Sequence, residues 1–188
     1  WHGDTHLIAD DKLDWKNECP TFNMIINKIK DTFKMDIKAT RFNWYKDTGD
    51  WKPYHHDAAA VDPRKAKVQN FTVGVSFGKE REASFQHAKN RTVVSIPQPN
   101  GQVYGFGKSV NINWRHGIPR IHDSEKEDKG RISTFFPGRP KYSIALLISG
   151  AATLILKPFA ARSKATQSPM VSILFVSDTR RIALVCNS

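Results

Sequence analysis

Between residues 39 and 136 the chain never keeps one character for long, and this limits its fold more than any other feature. Short segments rich in β-branched and aromatic residues are cut by turn residues, and this spacing predicts a barrel or a two-sheet jelly roll. Residues 40–45 read as a strand, and Asp47-Thr48-Gly49-Asp50 as a turn. Residues 71–77, FTVGVSF, alternate in strand fashion, and 83–87 and 91–96 are further strands. Residues 97–101, PQPNG, form a turn in which Asn100-Gly101 is the strongest hairpin signal, and the chain returns as a strand over 102–106. Residues 111–114 and 132–136 complete the set.

A single helix precedes these strands. Phe22, Ile25, Ile26, Ile29 and Phe33 fall at helical spacing within 21–35 and make one apolar face. Asn23, Asn27, Lys28, Lys30, Asp31 and Lys34 occupy the other face, and Thr21 after Pro20 is a candidate cap. A helix packed on a sheet is the favoured reading, with a partner-binding helix as the alternative. Residues 1–20 form a polar leader; Asp4, Asp10, Asp11 and Asp14 beside His2 and His6 have nothing to fix a metal geometry. After Pro140 acids almost vanish, and 144–148, 153–156, 171–176 and 182–185 are candidate strands. The chain therefore divides into a leader and flanking helix (1–38), a β core (39–140) and an extension of unknown role (141–188). The expected class is α+β, mainly β.

With 29 basic against 18 acidic residues the formal net charge is +11, which suits an acidic partner such as nucleic acid. The segment 141–188 holds six basic residues and one acid, so about half of that excess lies outside the core. Cys19 and Cys186 make neither a disulfide framework nor a zinc pattern. A reducing, intracellular setting, cytoplasmic or nuclear, is the expectation, and it suits iron(II). There is no export signal, and Trp1 stands where Met would begin a chain, so a shortened sequence is expected. The sequons at Asn70 and Asn90 then carry little weight. The apolar run at 144–156 is too short for a membrane span.

Chemistry concentrates at RFNWYKDTGDWKPYHHD, residues 41–57. His55 and Asp57 are two apart, so in an extended segment both point the same way while His56 points elsewhere. A mononuclear non-haem iron site needs two His and one carboxylate on one side of the metal, with the other positions open. His116, about sixty residues on and followed by Gly117 and Pro119, is the candidate third ligand, brought in by a distant strand. Arg131, in GRISTFF, is a candidate anchor for an acid, because a guanidinium matches a carboxylate as a two-pronged donor. Trp51, Tyr54, Lys79 and Arg81 are candidate substrate contacts, since aromatic and basic groups near a pocket suit a base stacked on a ring. The plainer alternative is that the aromatics pack a strand and the cations are solvated.

The ordered set Asn43-Trp44-Tyr45, His55-His56-Asp57, Ser76-Phe77-Gly78, Trp114-Arg115-His116-Gly117-Ile118-Pro119 and Arg131-Ile132-Ser133-Thr134-Phe135 resembles the AlkB-like branch of the 2-oxoglutarate- and iron(II)-dependent dioxygenases over residues 22–136. The resemblance implies a double-stranded β-helix core, with His55, Asp57 and His116 as catalytic iron ligands. It implies Asn43, Tyr45 and Arg131 as contacts to 2-oxoglutarate, and O2 as the second co-substrate. That family couples oxidative decarboxylation of 2-oxoglutarate to hydroxylation of a substrate C–H bond. On an N-methyl group the product releases formaldehyde and the demethylated base, so alkylated DNA or RNA is the implied partner. No membrane association and no obligate protein partner are expected.

Two positions depart from the nucleic-acid repair members: Ala59 replaces an acidic residue, and Pro137 stands where a second arginine is usual, with Arg139 off register. Only about forty residues precede Asn43, so a substrate lid would be short or missing. Ala59 and the missing second arginine favour one alternative, the same chemistry on a protein side chain or a small molecule. The other alternative, kept open by the unusual extension and the missing start, is an inactive barrel that binds nucleic acid by charge.

Overall fold

The computed structural model describes residues 18–141 and the backbone of two C-terminal strands; the leader 1–17 and the expected strands at 144–148 and 153–156 lie outside the described residues. The chain is mainly β, with antiparallel sheets and a few helices. Helix α1 (Pro20–Thr32) opens the described part. Thr21 lies inside it, and the cap position is Cys19, which makes no side-chain capping bond. Pro20 starts the helix instead, its missing N–H being one the first turn leaves unbonded anyway. The helix stops before residue 35, because Lys34 takes a left-handed φ of 45° and turns the chain into β1 (Met35–Ile37).

β2 (Arg41–Tyr45), β3 (Lys52–His55) and a short helix α2 (Pro63–Val68) follow. Then come β4 (Phe71–Gly78), β5 (Arg81–His87), β6 (Val93–Gln98) and β7 (Val103–Gly107). Helix α3 (Lys108–Asn113), β8 (Trp114–Ile118) and the long β9 (Arg131–Pro140) close the core. Two further strands are β10 (Ile173–Val176) and β11 (Ile182–Val185). One sheet runs β1-β9-β4-β7-β10-β11, with β2 also on β9; the other runs β3-β8-β5-β6. Every pairing is antiparallel except β10 on β7.

Two expectations change. The Asn100-Gly101 turn is not a hairpin: β6 before it pairs with β5, and β7 after it pairs with β4 in the other sheet. The turn carries the chain between sheets, helped by Gly101 at φ 84° and its N–H bond to the Ser76 carbonyl. The true hairpin joins β5 to β6, where Asn90 Oδ1 accepts from the Thr92 N–H at 3.1 Å. Residues 111–114 are likewise mostly not strand; α3 runs to Asn113 and β8 begins at Trp114.

Alternation sorts the larger sheet into two faces. Phe71, Val73 and Val75 of β4, Val103 and Phe136 pack under Ile25 and Ile29 of α1 and Phe33 at its C-cap, so the helix is a packing element. The opposite face meets the smaller sheet, with Tyr104 and Phe106 against Ala83 and Phe85. Gly74 permits this contact: a Cβ there would lie 2.7 Å from the Tyr104 ring. Arg41, Asn43 and Tyr45 share the inward side of β2, opposite Phe135, Ser133 and Arg131 of β9. Phe42 and Trp44 face outward, Trp44 at 66% exposure. No helix among the described residues is long and apolar enough to cross a membrane.

Candidate metal centre and acid-binding pocket

β3 and β8 lie side by side with His55 directly opposite His116. The register is irregular: Lys52 opposes Ile118, so three steps along β3 match two along β8. Residues three apart ordinarily face opposite sides of a strand; the bulge turns both Lys52 and His55 to the inter-sheet cavity. Gly117 makes the approach possible, since a Cβ there would lie 2.6 Å from the Lys52 carbonyl oxygen. Beyond β3 the backbone stays extended at Asp57 (φ −70°, ψ 151°) before a 3-10 turn, Ala58–Ala60, so His55 and Asp57 converge as their spacing predicts.

The ligating atoms of His55, Asp57 and His116 all lie within 4.8 Å of one another, so the group could hold a metal ion. His116 Nε2 is 3.6 Å from Asp57 Oδ1, and the two imidazole rings are 4.4 Å apart. Burial pushes His116 down to about 4 and holds His55 below the ordinary histidine range. Both rings are therefore neutral at pH 7, the form that ligates metals. His55 Nδ1 donates to the Pro53 carbonyl at 2.9 Å, which leaves Nε2 with its lone pair.

Asn111, absent from the expected site, fixes the third ligand. Its Oδ1 accepts from the Asp57 N–H at 2.9 Å, and its carbonyl accepts from His56 Nδ1 at 2.6 Å. His56 is thus turned from the ligand set, as the alternation requires. Nothing in the sequence marks Asn111, because its role depends on α3, whose six residues give too little periodicity to read.

Arg131 is 2% exposed on the inward face of β9. Its Nη2 donates to Ser76 Oγ at 2.7 Å, and its guanidinium sits 5.7 Å from the Tyr45 ring. Its Nε and Nη1 are buried without a hydrogen-bond partner, and no carboxylate pairs with it among the described residues. A buried cation with two idle donors is costly unless an anion joins it. Asn43 Nδ2 is a further buried donor with no partner. Ser133, opposite Asn43 in the register, faces the same space. Tyr45 keeps its proton, because burial raises the phenol. A donor-rich, acid-free patch of this kind fits a carboxylate, and the two neutral imidazoles with Asp57 fit a divalent ion.

The cavity is lined by Arg41, Tyr45, Lys52, Ala83, Tyr104, Ile118 and Phe135 besides the three ligands and Gly117. The other expected contacts fare unevenly. Trp51 is 45% exposed beside the cavity-lining Lys52 and carries the Arg120 guanidinium 5.0 Å over its ring. Tyr54 turns away, its hydroxyl 2.7 Å from Ser84 Oγ, because strand alternation sets it opposite to His55. Arg81 is 5% exposed and donates to the carbonyls of Asp50 and Pro119 at 3.0 and 2.8 Å, tying two loops together. Lys79 pairs with Glu127 at 2.5 Å. Tyr54, Arg81 and Lys79 are therefore committed to the scaffold, and none lines the cavity; Asn43 and Arg131 also stand outside the lining, next to its members Lys52 and Tyr45.

No protein-family model matches the chain, and no curated protein matches it.

Proposed function

We propose that the protein is an iron(II)- and 2-oxoglutarate-dependent dioxygenase with a double-stranded β-helix core, acting in oxidative demethylation of alkylated nucleic acid. The observation that carries this reading is a neutral two-histidine, one-carboxylate group on a cavity whose lining residue Tyr45 stands next to a buried arginine with two donors lacking partners. When bound, the iron and co-substrates supply the oxidation of a C–H bond. The chain's own residues do the rest. His55, Asp57 and His116 hold the ion from one side and leave the other open. Arg131 receives the distal carboxylate of 2-oxoglutarate, with Asn43 and Tyr45 donating alongside. Ala83, Tyr104, Ile118 and Phe135 bound the cavity with mostly apolar surface and restrict water.

The test is binding and turnover together. Anaerobic titration should give stoichiometric iron and 2-oxoglutarate binding, and aerobic protein should release succinate, with both lost in Asp57→Ala. Methylated oligonucleotides assayed by mass spectrometry should lose 14 mass units per methyl group removed (roughly the mass of CH2,) and yield formaldehyde. Tight metal and 2-oxoglutarate binding without any loss of mass would move the substrate to a protein side chain or small acid, which Ala59 and Pro137 favour. No 2-oxoglutarate binding would end the reading.

A further inference from the structure

Lys52 lines the cavity, yet it is neither a metal ligand nor one of the donors assigned to the acid. The β3 bulge turns it inward on the side of His55. Its Nζ donates to Asn43 Oδ1 at 3.3 Å, a link from β3 in the smaller sheet to β2 in the larger. This bond decides which way the Asn43 amide faces. An amide has a donor end and an acceptor end of nearly equal size, and half a turn exchanges them. An ammonium has only N–H groups and no lone pair, so it meets an amide through the carbonyl oxygen. The reverse orientation would set two donors against each other. Nδ2 is thereby turned away from Lys52, and it is buried with no hydrogen-bond partner. Asn43 precedes Tyr45 by two residues on the inward side of β2, and Arg131 stands across the ladder from Tyr45. Nδ2 therefore joins Arg131 Nε and Nη1 as a buried donor awaiting an acceptor. With the amide reversed, that place would hold an oxygen, which repels a carboxylate.

We propose that Lys52 is a positioning residue, which fixes the Asn43 amide so that Nδ2 faces the carboxylate of 2-oxoglutarate. The inference rests on the dioxygenase reading and adds a residue to its co-substrate site without giving that residue a contact to the acid. It also joins the two functions of the cavity: the short strand that carries the ligand His55 sets a donor for the co-substrate on the opposite sheet.

The experiment uses the full chain loaded with manganese(II) and reads 2-oxoglutarate binding by calorimetry under anaerobic conditions. Lys52→Met, which has no N–H to donate from its side chain, should weaken that binding about tenfold, the scale of one hydrogen bond to a charged group. Asn43→Ala should cost a similar factor. The double variant should lose no more than Asn43→Ala alone, because Lys52 acts through that amide. Lys52→Arg, still a pure donor, should keep most of the affinity. Manganese binding in Lys52→Met should be unchanged or tighter, since a neighbouring cation is gone. Circular dichroism checks that each variant is folded. Lys52→Gln, whose own amide can offer either end, covers the case in which Lys52→Met does not fold; its loss should be smaller and should also vanish without Asn43. Wild-type affinity for 2-oxoglutarate in whichever of these two variants folds overturns the proposal. So do losses that multiply in the double variant, because Lys52 would then act on the acid directly. So does a matching fall in manganese affinity, because β3 itself would then have moved. Failure of wild-type protein to bind 2-oxoglutarate at all overturns the dioxygenase reading itself.

Discussion

The two halves of the cavity are finished to different degrees. On the β3–β8 side two of the ligands are tied to the protein, His55 on the Pro53 carbonyl and the Asp57 backbone on Asn111, while His116 Nδ1 is buried with no partner. On the β2–β9 side Arg131 and Asn43 keep buried donors with no partner. The first side is held largely by the chain itself; the second leaves more buried donors to be completed by what binds. Substitutions on the two sides should therefore differ in kind.

The largest effect is expected on the first side. His116→Ala or Asp57→Ala should lower manganese affinity by about a hundredfold or more, since a two-ligand remnant holds a divalent ion poorly; calorimetry reads it, and retained affinity would break the comparison. Next, Arg131→Met should weaken 2-oxoglutarate binding by roughly 30- to 100-fold, the scale of a lost charged hydrogen-bond pair. The same variant should leave the ligand-free melting temperature unchanged or higher, because it removes a buried charge that lacks a counter-ion. A clear fall in melting temperature would show that Arg131 is already satisfied.

Third is a pH effect on the ligand-free protein. The folded state holds His116 at about 4 against 6.5 for the open chain. Below pH 6.5 the unfolded chain takes up a proton that the folded chain refuses. Stability should thus be full above that value and fall as pH drops toward 4, by up to about 3 kcal/mol. Urea midpoints across this range, compared with His116→Gln, isolate the contribution. Fourth, Gly117→Ala should cost about 1–3 kcal/mol and weaken metal binding, because the new methyl meets backbone and must push β3 aside. The smallest effect is that of Asn111→Ala, about tenfold in metal affinity, as for loss of an outer hydrogen bond to a ligand; no change would show that the extended backbone alone sets Asp57.

The same division explains what could be read from the sequence. His55, Asp57, His116 and Arg131 stand out because their identities carry chemistry, and the period of two along a strand says that His55 and Asp57 face one way; Asn43 and Tyr45 stand out only through the family resemblance. The apolar stripe of α1 is legible because five residues, Phe22, Ile25, Ile26, Ile29 and Phe33, recur at helical steps of three and four. What failed was local punctuation with a non-local meaning. Asn100-Gly101 is a strong turn, yet no dipeptide states whether the next strand joins the same sheet. Lys52 joins the side of His55 because one extra residue enters β3, and a bulge leaves no mark in hydrophobicity. Arg81 resembled a surface cation; its two carbonyl partners come from segments 31 and 38 residues away.

That extra residue in β3 has a further consequence. Deleting either Pro53 or Tyr54 would restore a regular ladder against β8, with Lys52 and His55 then two apart and still on one side, opposite Ile118 and His116. The imidazole on β3 and the carboxylate beyond it would keep their direction. A one-residue difference in the length of this segment is therefore compatible with the same ligand set, and sequence comparison that demands a fixed spacing would overlook it.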